Sequence, residues 1–321
     1  MRSFTRITNK FFLYLYYLVR FKSRTVAYYF AHYNLRLLQA AKVSSRGDKL
    51  LFQHTGNEIL KTCVKNYINE YEKLVICLCD SRVKVSEATA DNFTVEVDGI
   101  RLTVNSTSNL VTLYEIYIET LYNLSLPGSN DLVVMDVGMN VAYAALFFAN
   151  NPAVKKVYSY EPFPGTYNEA EVNVAKNAGL AAKMLRHNFG ISDYDGFIEV
   201  PQMTSGDGGA STNKEILEMQ NHQGMPSVKV EIKSFTSEVE KIISENPGSE
   251  LILKIDCEGE EYAIFESIKN NSTIFNAAKV LIIEWHLKGA GSILDVLEQH
   301  RYKTLCLPKA DNQSGMLYAF K

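Results

Sequence analysis

Hydrophobic and polar positions change period along the chain, and each change marks an element. Residues 132–135 form a short unbroken apolar run, the pattern of a strand buried on both faces in a parallel sheet covered by helices. Further strands are predicted at 156–160, 182–187, 250–255 and 279–283, with helices at 164–178, 260–269 and 293–300 in the connections. Residues 93–104 alternate strictly around Asp98-Gly99, which predicts a two-residue hairpin. A helix is expected at 112–124, with a break at 127–130 before the core. Segments 197–201 and 227–233 read as strands flanking a glycine-rich loop at 205–212, either a plain surface loop or a lid over substrate. Strands at 302–307 and 316–320, joined by a turn at 311–315, close the chain. Near the amino end, 58–80 suits a helix followed by a strand or a second helical turn. The pattern predicts an α/β fold in three parts: a mainly helical extension at 1–85, a hairpin and helix at 86–128, and the core at 129–321.

The strand at 132–136 runs into Gly138, and Val141, Leu146, Phe147 and Phe148 begin a helical run that ends near Asn150. Strand, glycine turn and helix together aim backbone N–H groups at the mouth of an open sheet. Glu161 ends the second strand, about 25 residues after Asp136, where an acid accepts hydrogen bonds from both hydroxyls of a ribose. Gly138 is followed by Met139, Asn140, Val141 and Ala142, so the spacing that cradles a pyrophosphate is absent, as is a P-loop. An acid before the glycine disfavours phosphate and suits a cationic group. A ribose with a sulfonium, an ammonium and no phosphate is S-adenosylmethionine.

Four segments carry a closer resemblance: DVGMNVA (136–142), YEPFP (160–164), KIDCEGEE (254–261) and IIEWH (282–286). In order and spacing they resemble the FkbM family of S-adenosylmethionine-dependent methyltransferases, as do the lead-in at 92–106 and the helix from Thr112. The resemblance covers about 92–321. It implies a Rossmann-like class I methyltransferase fold, a mostly parallel seven-stranded sheet with an antiparallel C-terminal hairpin. It also implies methyl transfer to hydroxyl oxygens of saccharides or related metabolites. Two positions depart from the family pattern: Ala142 stands at its usual second loop glycine, and Met139 at a small residue. On this reading Asp136, Gly138, Asn140, Ala142, Glu161, Pro162, Phe163 and Asn188 are the cofactor-binding candidates. For Phe163 the choice is between stacking on adenine and core packing; for Asn188, between reading the adenine amino group and a turn.

A hydroxyl acceptor must lose a proton, so a base within hydrogen-bond reach, or a metal, should help. The candidates stand at the ends of the fourth and fifth strands: Asp256 and Glu258, and Glu284 and His286. Residues two apart in a strand share a side, so Glu284 and His286 point together and Trp285 away. If that side is the cleft, His286 is the natural base and Glu284 orients it. Asp256 and Glu258 have a second reading as acceptors at the next helix's N-terminus. Carboxylates suit magnesium, and Asp256, Glu258 and Glu284 are an available set, but their spacing is no metal signature and no metal is expected.

Composition adds one asymmetry. Before Asp48 there are nine basic residues and no acid; the remaining 24 basic residues face all 36 acids, leaving about −12 on the rest of a chain whose net charge is −3. The acidic core, without a basic stripe interleaved with aromatics, argues against a nucleic-acid partner. Residues 11–19 are uninterrupted apolar and flanked by basic residues, too few to span a bilayer, which needs about 20. Two readings stay open for residues 1–42: a peripheral membrane contact, or a helical extension packed on the domain or a partner. Five cysteines in no disulfide or zinc spacing read as free thiols and point to a reducing cytoplasm. The expected function is O-methylation of a saccharide or related metabolite; the alternative is a non-catalytic, membrane-associated scaffold that keeps the fold.

Overall fold

The computed structural model describes residues 2–32, 41–123, 131–202, 210–219, 225–309 and 313–321. The expected break at 127–130, most of the glycine-rich loop at 205–212, residues 33–40 of the amino-terminal segment and part of the turn at 311–315 lie outside the described residues. Two compact units form, Met1–Leu121 and Tyr122–Lys321.

The first unit opens with α1 (Arg2–Phe21) and α2 (Arg24–His32), whose facing aromatics Tyr17, Phe21 and Phe30 pack ring on ring. A three-stranded antiparallel sheet follows, β1 (Val43–Arg46), β2 (Lys49–Phe52) and β3 (Asn57–Leu60). The helix expected from Glu58 is therefore a strand there; helical turns begin at Cys63 and α3 runs over Tyr71–Cys79. The strand pattern was hidden because each of these strands is four residues long and half-exposed. The predicted hairpin is β5 (Phe93–Val97) and β6 (Ile100–Val104), joined by an additional strand β4 (Val83–Ala88). The expected division at residue 85 falls inside β4, so the hairpin and the extension share one unit. The helix predicted from 112 starts earlier, α4 (Thr107–Leu113), because Ser106 caps it by accepting from the Asn109 N–H. It ends in a π turn over Tyr114–Ile118.

The second unit is a seven-stranded sheet. Its strands are β7 (Leu132–Val137), β8 (Val154–Tyr160), β9 (Met184–His187), β13 (Glu250–Ile255), β14 (Ala278–His286), β15 (Lys303–Pro308) and β16 (Ser314–Phe320), in the spatial order β15-β16-β14-β13-β7-β8-β9. Neighbours from β14 to β9 run parallel, and β16 is antiparallel to both β14 and β15, the mostly parallel sheet with an antiparallel C-terminal hairpin that the resemblance implies. β7 is buried along its whole length, which is why its apolar run is unbroken. Helices α5 (Tyr143–Asn150), α6 (Pro164–Ala175), α7 (Ala178–Ala181), α8 (Lys214–Met219), α9 (Phe235–Glu245), α10 (Glu261–Ile268), α11 (Ser272–Ala277) and α12 (Gly291–Gln299) complete the unit. A smaller sheet, β10 (Gly190–Ser192), β12 (Ser227–Ser234) and β11 (Gly196–Pro201), holds the two strands predicted around the glycine-rich loop.

The chain leaves β7 toward β8 on one side and later returns as β13 on the other. The order of strands thus reverses between β7 and β13, and the carboxyl ends there open a crevice, the usual ligand position in open α/β sheets.

Candidate active site

The turn after β7 is set by hydrogen bonds to the end of β8. The N–H groups of Gly138 and Met139 both donate to the Tyr160 carbonyl, at 3.2 and 2.8 Å. Gly138 has φ +81°, and a Cβ there would lie 1.8 Å from the Asp256 carbonyl oxygen, so only glycine fits. Asn140 and Ala142 are also left-handed, at φ +51° and +67°. That conformation points the Asn140 N–H at Glu161 Oε2, 3.0 Å away, while the Phe163 N–H donates to Glu161 Oε1 at 3.0 Å. Each carboxylate oxygen has two acceptor positions, so one on each is left for a ligand diol. Burial pushes Glu161 up to about 7, against the pull of these two N–H donors.

Val137, Gly138, Asn140, Glu161, Pro162 and Phe163 line one wall of a cleft that is partly open to solvent. Phe163 lines this cleft and packs with Val200, Val230 and Ile232. The other candidates stand back from the wall. Asn188 is exposed and donates its amide to the Glu161 carbonyl at 2.8 Å, so it holds the β8 turn. Ala142 is buried at the start of α5. Asp136 is fully buried and pairs with Lys254 Nζ at 3.1 Å, its register partner on β13. Lys254 in turn donates to the Gly138 carbonyl at 2.6 Å and pairs with Asp256 at 3.5 Å. Asp136 therefore acts on the loop through Lys254.

Asp256, Cys257 and Glu258 form the facing part of the cleft. Glu284 and His286 do project from one side of β14, with Trp285 packed into the core on the other. The pair meets Asp256 and Glu258 across the strand ends: His286 Nε2 lies 3.6 Å from Glu258 and 3.9 Å from Glu284. Glu261, which the sequence reading passed over, is fully buried and organises the corner. It accepts from His286 Nδ1 at 3.1 Å, from the His286 backbone N–H at 2.7 Å and from the Gly259 N–H at 2.8 Å. Its signal was an acid at the head of α10, but nothing local says that it faces a histidine 25 residues on. Glu284 is also held by Lys309 at 2.6 Å.

Crowding decides the protonation here. Burial lowers the affinity of His286 for its proton, yet the hydrogen bond to Glu261 and the charges of Glu258 and Asp256 outweigh it and push the ring up to about 10. Burial raises Glu258 to about 8 despite the attraction of His286. One ligand atom each from Asp256, Glu258 and His286 fall within 4.8 Å of one another, a group able to hold a divalent cation. This set differs from the all-carboxylate one that spacing offered, because its third member comes from the neighbouring strand.

The far end of the glycine-rich loop is fastened to this corner. Ala210 and Thr212 line the cleft, Ser211 Oγ donates to the Glu258 carbonyl at 2.6 Å, and the Asn213 amide donates to Glu260 and the Gly259 carbonyl, each at 3.2 Å.

A family model for the methyltransferase FkbM domain matches residues 136–304, from Asp136 near the end of β7 into β15. The match takes in more than half of the chain, and the chain belongs to that family. Among solved structures it is similar to methyltransferase FkbM from Methylobacillus flagellatus, at 16% identity and TM-score 0.40, over 66% of this chain and 52% of that one. It is likewise similar to precorrin-6y C5,15-methyltransferase from Geobacter metallireducens, at 15% identity and TM-score 0.36, over 64% of this chain and 88% of that one. A third is TrmK from M. capricolum, solved with S-adenosyl-homocysteine, at 14% identity and TM-score 0.34, over 64% of this chain and 67% of that one. The chain spans about half the length of the Methylobacillus protein. No curated protein matches it.

Proposed function

We propose that this chain transfers the methyl group of S-adenosylmethionine to a hydroxyl oxygen of a saccharide or related small metabolite. The observation that carries the reading is the Glu161 carboxylate. Both of its oxygens accept backbone N–H groups, and the residue lines the cleft together with Gly138 and Asn140 of the glycine turn. The residues present fit the cofactor: Glu161 suits the ribose diol, and Asn140 Oδ1 is a buried acceptor in the same wall with no hydrogen-bond partner among the described residues. The sulfonium supplies an electrophilic methyl carbon to a nucleophile placed in line with the departing sulfur.

The protein's own share is to hold the acceptor and take its proton. His286 was the expected base. With a ring held near pKa 10 by its carboxylate neighbours it keeps its proton at neutral pH and fixes Glu258 and Glu284 instead. Glu258, raised to about 8, is the better acceptor, since a base works best with a pKa near the working pH. Asp256 lines the cleft and pairs with Lys254.

The test is calorimetric titration with S-adenosylhomocysteine beside Glu161→Ala, followed by methyl transfer to a panel of hydroxylated saccharides. Binding that the variant loses, with transfer to oxygen, supports the reading. Binding without transfer to any hydroxyl removes the acceptor class. Preference for NAD overturns the cofactor and points to a nucleotide-dependent oxidoreductase, whereas folded protein that binds neither leaves a scaffold.

A further inference from the structure

The helix α1 carries a second surface unrelated to the cleft. Phe11, Phe12, Leu15, Tyr16 and Val19 recur at the spacing of one helical face and are all exposed, Phe12 at 67% and Val19 at 78%. The opposite face is already used: Tyr17 and Phe21 pack against Phe30 of α2, with ring centroids 5.2 and 4.7 Å apart. The stripe is therefore not unfinished core of the helix pair. Five adjacent large apolar side chains in water are costly for a helix that has no need of them in its own fold.

We propose that this face docks on an anionic lipid surface, with α1 lying in the plane of the interface. Charge selects the occupant. All nine ionised residues before Asp48 are basic, and Lys10, Lys22 and Arg24 flank the stripe. A second copy seated face to face would bring two such segments together and repel, whereas acidic headgroups attract each of them. Length sets the mode. No helix among the described residues is long and apolar enough to cross a membrane, so an apolar face about two turns long reaches only the headgroup and acyl boundary. The aromatic residues Phe11, Phe12 and Tyr16 suit that depth.

The test uses the full chain with vesicles of phosphatidylcholine alone, or with roughly a third of phosphatidylglycerol, read by co-sedimentation. The chain binds the anionic vesicles and leaves the neutral ones. Binding weakens at least about tenfold in Phe12→Ala/Val19→Ala, which removes apolar contact at exposed positions, with unchanged circular dichroism. It weakens by a similar factor, about tenfold, in Lys10→Glu/Arg24→Glu and on raising salt from about 0.1 to about 0.5 M. Equal binding to both vesicles, or none by folded protein, overturns the proposal. So does a dimer in sedimentation velocity without lipid that Phe12→Ala/Val19→Ala dissolves, because the face then belongs to another copy.

Discussion

The turn after β7 and the corner between β13 and β14 sit on the same edge of one sheet, but they are built from different materials. At the turn the backbone does the work: Gly138, Asn140 and Ala142 take left-handed conformations, and one carboxylate, Glu161, collects the N–H groups that result. At the corner side-chain charge does it: Asp256, Glu258, Glu261 and Glu284 gather round His286. A turn of the first kind tolerates changes in charge poorly at one residue and changes in shape almost nowhere. A corner of the second kind tolerates shape but depends on how many of its groups hold protons. Lys254 joins the two, bound to Asp136 and the Gly138 carbonyl on one side and to Asp256 on the other.

The sharpest way to break this contrast is Gly138→Ala. Its Cβ would stand 1.8 Å from a backbone oxygen that cannot swing aside, at a φ that alanine adopts reluctantly. We expect a loss of about 4 kcal/mol or more in urea denaturation, and no binding of S-adenosylhomocysteine by whatever remains folded. A variant of near-normal stability would show that the turn is pliant and the contrast false.

Lys254→Met tests the joint itself. It leaves the Asp136 carboxylate buried without its cation, at a cost of about 3 kcal/mol near neutral pH. Asp136 then folds with its proton retained, so its penalty is absent below the unfolded carboxyl pKa and grows as pH rises. The difference in urea midpoint between variant and wild type should shrink at about pH 4. A loss independent of pH would mean that Lys254 matters only for packing.

At the corner, Glu258→Gln should lower kcat about 100-fold while leaving S-adenosylhomocysteine affinity within about twofold. The wild-type rate should climb with pH through about 8 as Glu258 gives up its proton. Stability moves the opposite way. A carboxyl whose folded pKa lies above its unfolded one favours the fold fully below the unfolded pKa, and that contribution is lost as pH rises through about 8. Opposed slopes of rate and urea midpoint, both flattened in Glu258→Gln, would sharpen the assignment; parallel slopes would undo it.

The same logic applied to Glu161 gives a smaller effect on binding. Its carboxyl is raised to about 7, and the ionised form accepts better from a ribose. Affinity for S-adenosylhomocysteine at pH 6 should be about tenfold below its plateau above pH 8. Glu161→Gln should bind weakly at every pH, without that slope.

How much of this could be read from residues alone follows the same division. The turn was legible because its parts are local or nearly so: an apolar run, a glycine, an acid at the end of the next strand. The hairpin at Asp98-Gly99 and the strands β13 and β14 were legible for the same reason, through period and turn chemistry. The corner was legible only as names. That Glu261 reaches His286 depends on the register of β13 against β14 and on the tight turn at Glu258 and Gly259, neither of which leaves a periodic trace. One signal was present and underused. Lys254 is the only charged residue between Leu251 and Ile255, and a cation inside such a strand must meet a carboxylate; its register partner, Asp136, was already a candidate. The strands β1 to β3 left less trace, since four half-exposed residues alternate too briefly to outweigh helical neighbours.

Ala142 offers the finest test, because it is where this chain departs from the family's glycine. Its φ of +67° places an L residue in the left-handed region, at a cost of about 1 kcal/mol, yet its methyl is fully buried and contributes about as much in return. Glycine would remove both terms. Ala142→Gly should therefore change stability by less than about 1 kcal/mol and cofactor affinity by less than about twofold, since Asn140 and Glu161 hold the turn independently. Ala142→Val keeps the buried contact but adds a branch that the left-handed region does not admit, and should lose about 2 kcal/mol or more. If glycine instead raised affinity tenfold, the turn would be strained by its alanine, and the backbone half of the cleft would be less finished than its hydrogen bonds imply.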